Sequence, residues 1–280
     1  MKNRIYQADN LKILKKIPGG SVDLIYIDPP FNSGKVRKLT HLKTTKDLKG
    51  DRTGFGGKRY STKEGNTLTF SDKFASEVGY MKFIQSRLEE AERILKPTGS
   101  LFVHLDYREV HYVKILLDTI FGRECFKNEI IWSYDFGGRS KSRWAPKHDN
   151  ILWYVKDPKH YTFHYDAIER IPYMAPSLVG AEKAARGKTL TDSWWCTIVP
   201  TNGKERTGYP TQKPVRILRW IVQVHSNPGD VCLDFFAGSG SFGEAAGMFG
   251  RKFILVDNNA AAIKIAKKRL KKFKPVISSL

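Results

Sequence analysis

The segment that most constrains this chain is Val22-Asp23-Leu24-Ile25-Tyr26-Ile27, followed at once by Asp28-Pro29-Pro30-Phe31. The first six residues are a short apolar run with branched side chains. Such a run reads as a strand of a parallel sheet, buried on both faces. Two successive prolines cannot continue the ladder, because neither has an N–H to donate. The strand therefore ends at Asp28, and a rigid turn presents a carboxylate, proline carbonyls and an aromatic ring. In open α/β sheets, ligands bind just beyond the carboxyl ends of the strands. Two readings are open for this turn. One is a proline turn that happens to start with an acid. The other is a pocket for a flat molecule with an amino group, in which Asp28 and the Pro29 carbonyl accept N–H bonds and Phe31 stacks on the ring.

The surrounding chain alternates strand and helix. Residues 4–9 read as a strand ending in an acid, with Asn10 as the cap of a helix over 11–17 that Pro18-Gly19-Gly20 breaks. Ile84, Leu88, Ala91 and Leu95 recur at helical spacing, and Lys96-Pro97-Thr98-Gly99 ends that helix. An apolar strand over 100–105 runs into Asp106. A helix with Val110, Val113, Leu117 and Ile120 on one face follows and stops at Gly122. This βαβα order predicts a parallel sheet flanked by helices. The stretch 35–64 departs from it, with ten Lys or Arg against three acids and few apolar residues. It is expected to be a long basic loop, mobile over about 35–70 without a partner. It is either a solvated insertion or a DNA-contacting loop beside the site.

Residues 125–205 lose the alternation and hold five of the six tryptophans: Trp132, Trp144, Trp153, Trp194 and Trp195. Arg139, Lys141, Arg143, Lys147 and the Gly137-Gly138 pair lie among them. Aromatics interleaved with bases suit a nucleic-acid surface, and equally a core with a wet rim. A strand over 151–155 is expected to join the main sheet. Beyond Tyr209-Pro210-Thr211-Gln212-Lys213-Pro214 come an amphipathic helix over about 215–225 and a strand over 230–233. Asp234-Phe235-Phe236-Ala237-Gly238-Ser239-Gly240-Ser241 leads into another helix, and a strand over 252–256 ends at Asp257-Asn258. The last helix places Ile263, Ala266, Leu270 and Phe273 on one face. Seven bases over 264–274 cover the rest, as a solvated face or a phosphate-tracking surface.

Composition narrows the partners. The 280 residues are 41% hydrophobic with no run of membrane-spanning length, and the N-terminus enters a strand pattern without a secretory signal. Cys125, Cys196 and Cys232 are far apart and form no Cys-x-x-Cys, which points to a reducing, cytoplasmic setting and away from a structural metal. Lys and Arg outnumber Asp and Glu by 48 to 28, a net charge of +20 that favours a polyanionic partner.

Gly238-x-Gly240-x-x-Gly243, with a strand before it and Asp257 downstream, fits the dinucleotide fingerprint. Two features favour S-adenosylmethionine over NAD. An acid, Asp234, stands ahead of the glycines, a pattern that resembles the methyltransferases. Only about one further strand follows, so the sheet must be completed by the N-terminal strands. In this order of parts the chain resembles the beta group of DNA amino-methyltransferases over nearly its whole length. Gln7-Ala8-Asp9-Asn10 is similar to that family's segment near the cofactor adenine. Asp28-Pro29-Pro30-Phe31 is similar to its catalytic motif, and Thr211-Gln212-Lys213-Pro214 to the segment at the methionine end. Residues 234–241 and Asp257 resemble its glycine loop and ribose acid. The family more often has His where Tyr209 stands.

The resemblance implies a circularly permuted, Rossmann-like α/β methyltransferase fold. Its mostly parallel sheet would carry helices on both faces and an inserted target-recognition region. The catalytic half would span 1–124, the recognition region 125–205 and the cofactor half 206–280. It implies Asp28, Pro29, Pro30 and Phe31 as catalytic residues. Gln7, Ala8, Asp9, Asp28, Lys213, Pro214, Asp234, Phe236, Ala237, Gly238, Ser239, Gly240, Ser241, Asp257 and Asn258 would bind S-adenosylmethionine. Lys35, Arg37, Lys38, Arg139, Lys141, Arg143 and Lys147 are the candidate DNA contacts, with no metal and no membrane. The implied reaction is direct methyl transfer to a flipped base in double-stranded DNA. The Asp-Pro-Pro form points to adenine N6, with cytosine N4 as the alternative on the same scaffold. Cytosine C5 chemistry needs a cysteine nucleophile, typically after proline, and no cysteine here follows one. A homodimer and a cognate restriction endonuclease are further partners that the resemblance allows.

Overall fold

The computed structural model describes residues 2–53, 57–72, 74, 76–200 and 202–279, and for 35–44, 52 and 64–72 it describes the backbone alone. The first part of the chain forms β1 (Arg4–Gln7), α1 (Asn10–Leu14) and β2 (Val22–Ile27), then β3 (Lys35–Lys46), β4 (Arg52–Thr53) and β5 (Arg59–Asp72). It continues through α2 (Glu77–Ile94), β6 (Leu95–Leu105) and α3 (Val110–Phe121). The middle holds β7 (Phe126–Ser133), β8 (His148–Val155), β9 (Arg170–Ile171), α4 (Ala181–Arg186), β10 (Lys188–Thr189) and β11 (Ser193–Trp195). The last part forms α5 (Val215–His225), β12 (Val231–Asp234), α6 (Ser241–Met248), β13 (Lys252–Asp257), α7 (Ala260–Arg269) and β14 (Val276–Ser279).

Nine strands make one sheet in the order β11-β7-β8-β6-β2-β12-β13-β1-β14. β8 runs antiparallel to both its neighbours, and the other pairings are parallel. All six residues of β2 are buried, as a strand covered on both faces requires. The N-terminal strands straddle the C-terminal ones: β2 pairs with β12 and β1 with β13. Asp23 ties this arrangement at its base, accepting the Val231 N–H at 2.9 Å and pairing with Lys96 at 2.7 Å. The permuted order is thus built as one continuous core from Ile5 to Leu270.

Four expectations change. The basic stretch after the Asp-Pro-Pro turn is not an irregular loop: β3 and β5 form a long antiparallel ribbon with β4 beside it, from the pair Lys35–Asp72 outward. It is rich in Thr, with Val, Tyr and Phe, residues that favour strands, a signal that the charge obscured. Helix α1 is capped by Asp9, not Asn10: the Asp9 carboxylate accepts the Leu11 N–H at 2.9 Å and the Lys12 N–H at 3.3 Å, and the helix ends sooner than expected. A second strand, β14, follows the glycine loop half and pairs with β1 at the sheet edge. Of the last helix's bases, Arg269 is no surface charge. Its guanidinium bonds the Ser239 hydroxyl, the Ser241 hydroxyl and the Glu205 carbonyl and pairs with Glu244, bracing the glycine loop from behind.

Candidate active site

Five neighbouring parallel strands, β6-β2-β12-β13-β1, open their carboxyl ends on one edge of the sheet. Each ends in, or leads within two residues to, an aspartate: Asp106, Asp28, Asp234, Asp257 and Asp9. The edge is therefore strongly acidic in a protein that is basic as a whole.

A cleft of about 270 Å³ follows this edge. Of the residues expected to bind a cofactor, Ala8, Asp9, Asp28, Lys213, Asp234, Phe236, Ala237, Gly238, Ser239, Ser241, Asp257 and Asn258 line it. Three do not. Gln7 lies within β1, paired beside Asp257; Pro214 is the residue before α5; Gly240 faces inward, where a Cβ would meet Ala266 at 3.0 Å. At φ +77° Gly240 also holds a backbone that other residues rarely adopt, so it is a packing glycine at the start of α6.

Asp257 clasps the glycine loop. Its carboxylate accepts the Gly238 N–H on one oxygen and the Asn259 N–H on the other, both at 2.8 Å. Burial raises its pKa against the pull of those bonds. Asp234 accepts the Phe236 N–H at 2.9 Å. Burial pushes its pKa well above the usual carboxylate range, and the charges of Asp28 and Asp257 push the same way.

Sequence reasoning missed the wall opposite. Asn10 donates to the Phe235 carbonyl at 2.7 Å, and the Arg87 Nε donates to Asn10 at 2.6 Å. The Arg87 guanidinium lies 3.6 Å from the Phe83 ring centre and bonds the Phe83 carbonyl at 2.9 Å and Asp9 at 3.3 Å. Arg87, Phe83 and Phe74 all line the cleft. One signal was available: Arg87 falls on the same helical stripe as Ile84, Leu88 and Ala91, where a charge needs a partner.

This lining separates the two ligand readings left by the glycine loop. Four carboxylates, those of Asp9, Asp28, Asp234 and Asp257, face two cations, Arg87 and Lys213. Arg87 is engaged by Asn10 and Asp9, and Lys213 Nζ lies 2.9 Å from Asp28 Oδ1. A pyrophosphate would meet net negative charge here. A nucleoside bearing a sulfonium and an ammonium suits this lining better.

A second cleft, about 320 Å³, meets the first at Asp28, Pro30, Tyr209, Thr211 and Lys213. Phe31, Trp132, Tyr134 and Tyr209 give it aromatic walls, and Asp106, Asp149 and Arg206 its charge. The expected catalytic residues Asp28, Pro29, Pro30 and Phe31 all line it. Phe31 stacks on His104 with ring centres 6.1 Å apart, and Lys213 Nζ sits 4.8 Å from the Phe31 ring centre. The turn is closed by Asn32 in a left-handed conformation, φ +50°, whose side chain donates to Glu109 at 3.0 Å.

The expected DNA contacts divide. The backbone of Lys35, Arg37 and Lys38 is in β3, and their side chains lie outside the described structure. Arg139, Lys141 and Arg143 are exposed on the 134–147 loop that connects β7 to β8. Arg139 pairs with Asp135 at 2.6 Å and Arg143 reaches the Tyr107 hydroxyl at 3.3 Å. Lys147 does not present a free cation: its ammonium bonds the carbonyls of Phe136, Gly137 and Gly138 at 2.6, 2.8 and 3.0 Å and staples the loop. Three carbonyls converging on one ammonium use all of its donors.

A carboxylate-lined cleft that opens through one aspartate into an aromatic one suits group transfer from a cationic nucleoside, and with the sheet order it defines the class of S-adenosylmethionine-dependent methyltransferases. Comparison with protein families narrows the class. The N6/N4 DNA methylase family matches residues 22–268, and the chain belongs to that family. It is 31% identical over 270 residues to the Type II methyltransferase M.HpaI of Haemophilus parainfluenzae, covering 96% of this chain and 74% of that protein. It is 32% identical over 279 residues to the DNA adenine methyltransferase YhdJ of Escherichia coli (strain K12), covering 95% and 82%. The fold is that of the M1.HpyAVI–SAM complex, with a TM-score of 0.61 at 21% identity over 95% of this chain and 98% of the other.

Proposed function

We propose that this protein methylates the N6 amino group of adenine in double-stranded DNA, with S-adenosylmethionine as donor and the target base turned out of the helix. The observation that carries the reading is the position of Asp28 on the wall of both clefts, between a carboxylate-lined site for the donor and an aromatic one for a base. Adenine rather than cytosine N4 follows from the Asp-Pro-Pro form of the motif, and the relative YhdJ is named an adenine enzyme.

When bound, the donor supplies a methyl group already activated on a sulfonium. The protein's part is positioning and electrostatics. The exocyclic amine is a poor nucleophile because its lone pair conjugates into the ring. The Asp28 carboxylate and the Pro29 carbonyl accept hydrogen bonds from its two N–H groups and turn the lone pair toward the methyl; as the new N–C bond would form and the C–S bond break, the amine would give up one proton and the neutral thioether would leave. Phe31 recovers part of the stacking lost when the base leaves the duplex. Asp257 accepts ribose hydroxyls while holding the glycine loop.

The same reading assigns 1–124 to a catalytic half, 125–205 to target recognition and 206–280 to a cofactor half. The 35–72 ribbon and the 134–147 loop, with exposed Arg139, Lys141 and Arg143, are the DNA-facing parts in this scheme. The +20 net charge suits that partner. Three buried, unpaired cysteines suit the cytoplasm. A homodimer and a cognate endonuclease belong to the proposal as well, the first tested by sedimentation of the purified protein. The central experiment incubates the protein with duplex DNA and the donor, digests the DNA and identifies modified nucleosides by mass spectrometry. N6-methyladenine is expected; N4-methylcytosine alone would overturn the base assignment.

A further inference from the structure

We infer that Asp149 and His104 are positioning residues for the catalytic carboxylate: a buried polar chain, Tyr26–His104–Asp149–Lys213, holds Asp28 so that a single oxygen faces the target amine. This rests on the catalytic role proposed above for Asp28.

The chain draws on four parts of the molecule. Tyr26 lies in β2, two residues before Asp28. His104 is in β6 and fully buried. Asp149 is in β8, and Lys213 comes just before α5. The Tyr26 hydroxyl is 2.8 Å from His104 Nδ1, and His104 Nε2 is 3.0 Å from Asp149 Oδ2. The Tyr134 hydroxyl donates to the other Asp149 oxygen at 3.2 Å. Lys213 Nζ stands 3.9 Å from Asp149 Oδ2 and 2.9 Å from Asp28 Oδ1.

The network sets its own proton positions. Nε2 faces a carboxylate and must donate, so in a neutral ring Nδ1 accepts from the Tyr26 hydroxyl. Burial, and then the Lys213 ammonium, lower the His104 pKa and keep the ring neutral. Against the upward push of burial, the His104 bond and the Lys213 charge hold the Asp149 carboxyl below its ordinary range. The result is one ammonium between two carboxylates at the junction of the clefts.

That arrangement acts on Asp28. Its Oδ1 is shut off from solvent and lies against Lys213. Oδ2 is then the oxygen left for an amino proton. Asp149 draws on Lys213 from the far side, and His104 and Tyr134 fix Asp149. Remove the Asp149 charge and, among the described residues, Asp28 is the ion-pair partner left to Lys213, which then carries the catalytic carboxylate with it. Misplacement of a reacting group by about 1 Å costs on the order of a hundredfold in rate. Buried ion pairs are also poor sources of stability, so a purely structural purpose accounts badly for this one.

The test is kinetic. Asp149→Asn keeps the shape and removes the charge. Its kcat for methyl transfer should fall about 10- to 100-fold, normalised to the sites that bind S-adenosylmethionine by calorimetry. The donor Kd and the KM for DNA should stay within about threefold. Lys213→Arg should retain more activity than Lys213→Met. The Asp149→Asn, Lys213→Met double variant should be little worse than the poorer single one, because the residues act as one unit. Tyr26→Phe, which removes only the far donor, carries the same kcat-against-KM test should Asp149→Asn not fold. A kcat within threefold of wild type in Asp149→Asn, or fully additive losses in the double variant, would overturn the inference while the proposed reaction stands. A wild-type protein that transfers no methyl group to DNA would instead remove the reaction, and this inference with it.

Discussion

Replacing Asp257 by alanine tests the clasp that the structure shows together with the ribose contact proposed above. The two carboxylate oxygens take the Gly238 and Asn259 amides at 2.8 Å. Hydrogen bonds to a charged acceptor contribute about 1.5–3 kcal/mol each. Two opposing effects reduce the net loss of stability. The Asn259 amide precedes α7, where water can replace the carboxylate. Removing a buried charge also returns the desolvation that raises the Asp257 pKa. The expected cost is therefore about 1–3 kcal/mol of stability, less than the sum of two bonds. For the donor, losing one or two ribose hydroxyl bonds costs about 1–3 kcal/mol, or roughly 5- to 150-fold in Kd. Titration calorimetry with S-adenosylmethionine reads the second figure and urea denaturation the first. Asp257→Asn should fall between wild type and Asp257→Ala, because the amide oxygen still accepts one bond. An Asp257→Ala protein that binds the donor within twofold of wild type would refute the ribose contact, whatever its stability.

Three further outcomes follow from the site. Asp28→Ala should abolish methyl transfer while the protein stays folded, and Phe31→Ala should lose less, since both amino-proton acceptors remain; tritium transfer to duplex DNA reads both, and an active Asp28→Ala protein would sink the mechanism. Asp234 has a folded pKa above its unfolded one, so its ionisation penalises the fold as pH rises above the unfolded value. Asp234→Asn should then lose less stability than wild type between pH 5 and pH 8, taken as representative points above about 3.9, by denaturation at each pH, and parallel curves would contradict that sign. Excising 35–72 at the paired ends of the ribbon should weaken DNA binding and flatten its dependence on salt, leaving donor affinity nearly unchanged; identical salt slopes would make the ribbon a bystander.

The sequence by itself determined the parts whose signals are local. The apolar run ending at Asp28 could only be a buried strand closed by prolines. The acid, glycine loop and second acid at 234–257 pointed to a nucleoside site, and their place after the Asp-Pro-Pro turn pointed to a permuted sheet. Periodicity identified the helical stripe around Ile84, because burial repeats every turn.

Tertiary structure decided which side chains meet. Asn10 reaches a carbonyl 225 residues away, and Arg87 reaches Asn10 across 77. No pattern of period 2 or 3.6 encodes such a bond. The same holds for His104, Asp149 and Lys213, each ordinary in its own segment and joined only where β6, β8 and the turn before α5 converge. The basic ribbon misled for a different reason: its lysines signal solvation, while its many Thr, with Val, Tyr and Phe, signal pairing, and only the partner strand settles which prevails. Local chemistry therefore set each strand end and its aspartate. The pairing of β2 with β12 and of β1 with β13 gathered those ends into one acidic edge, since long-range sheet order is fixed by burying both faces of a common core.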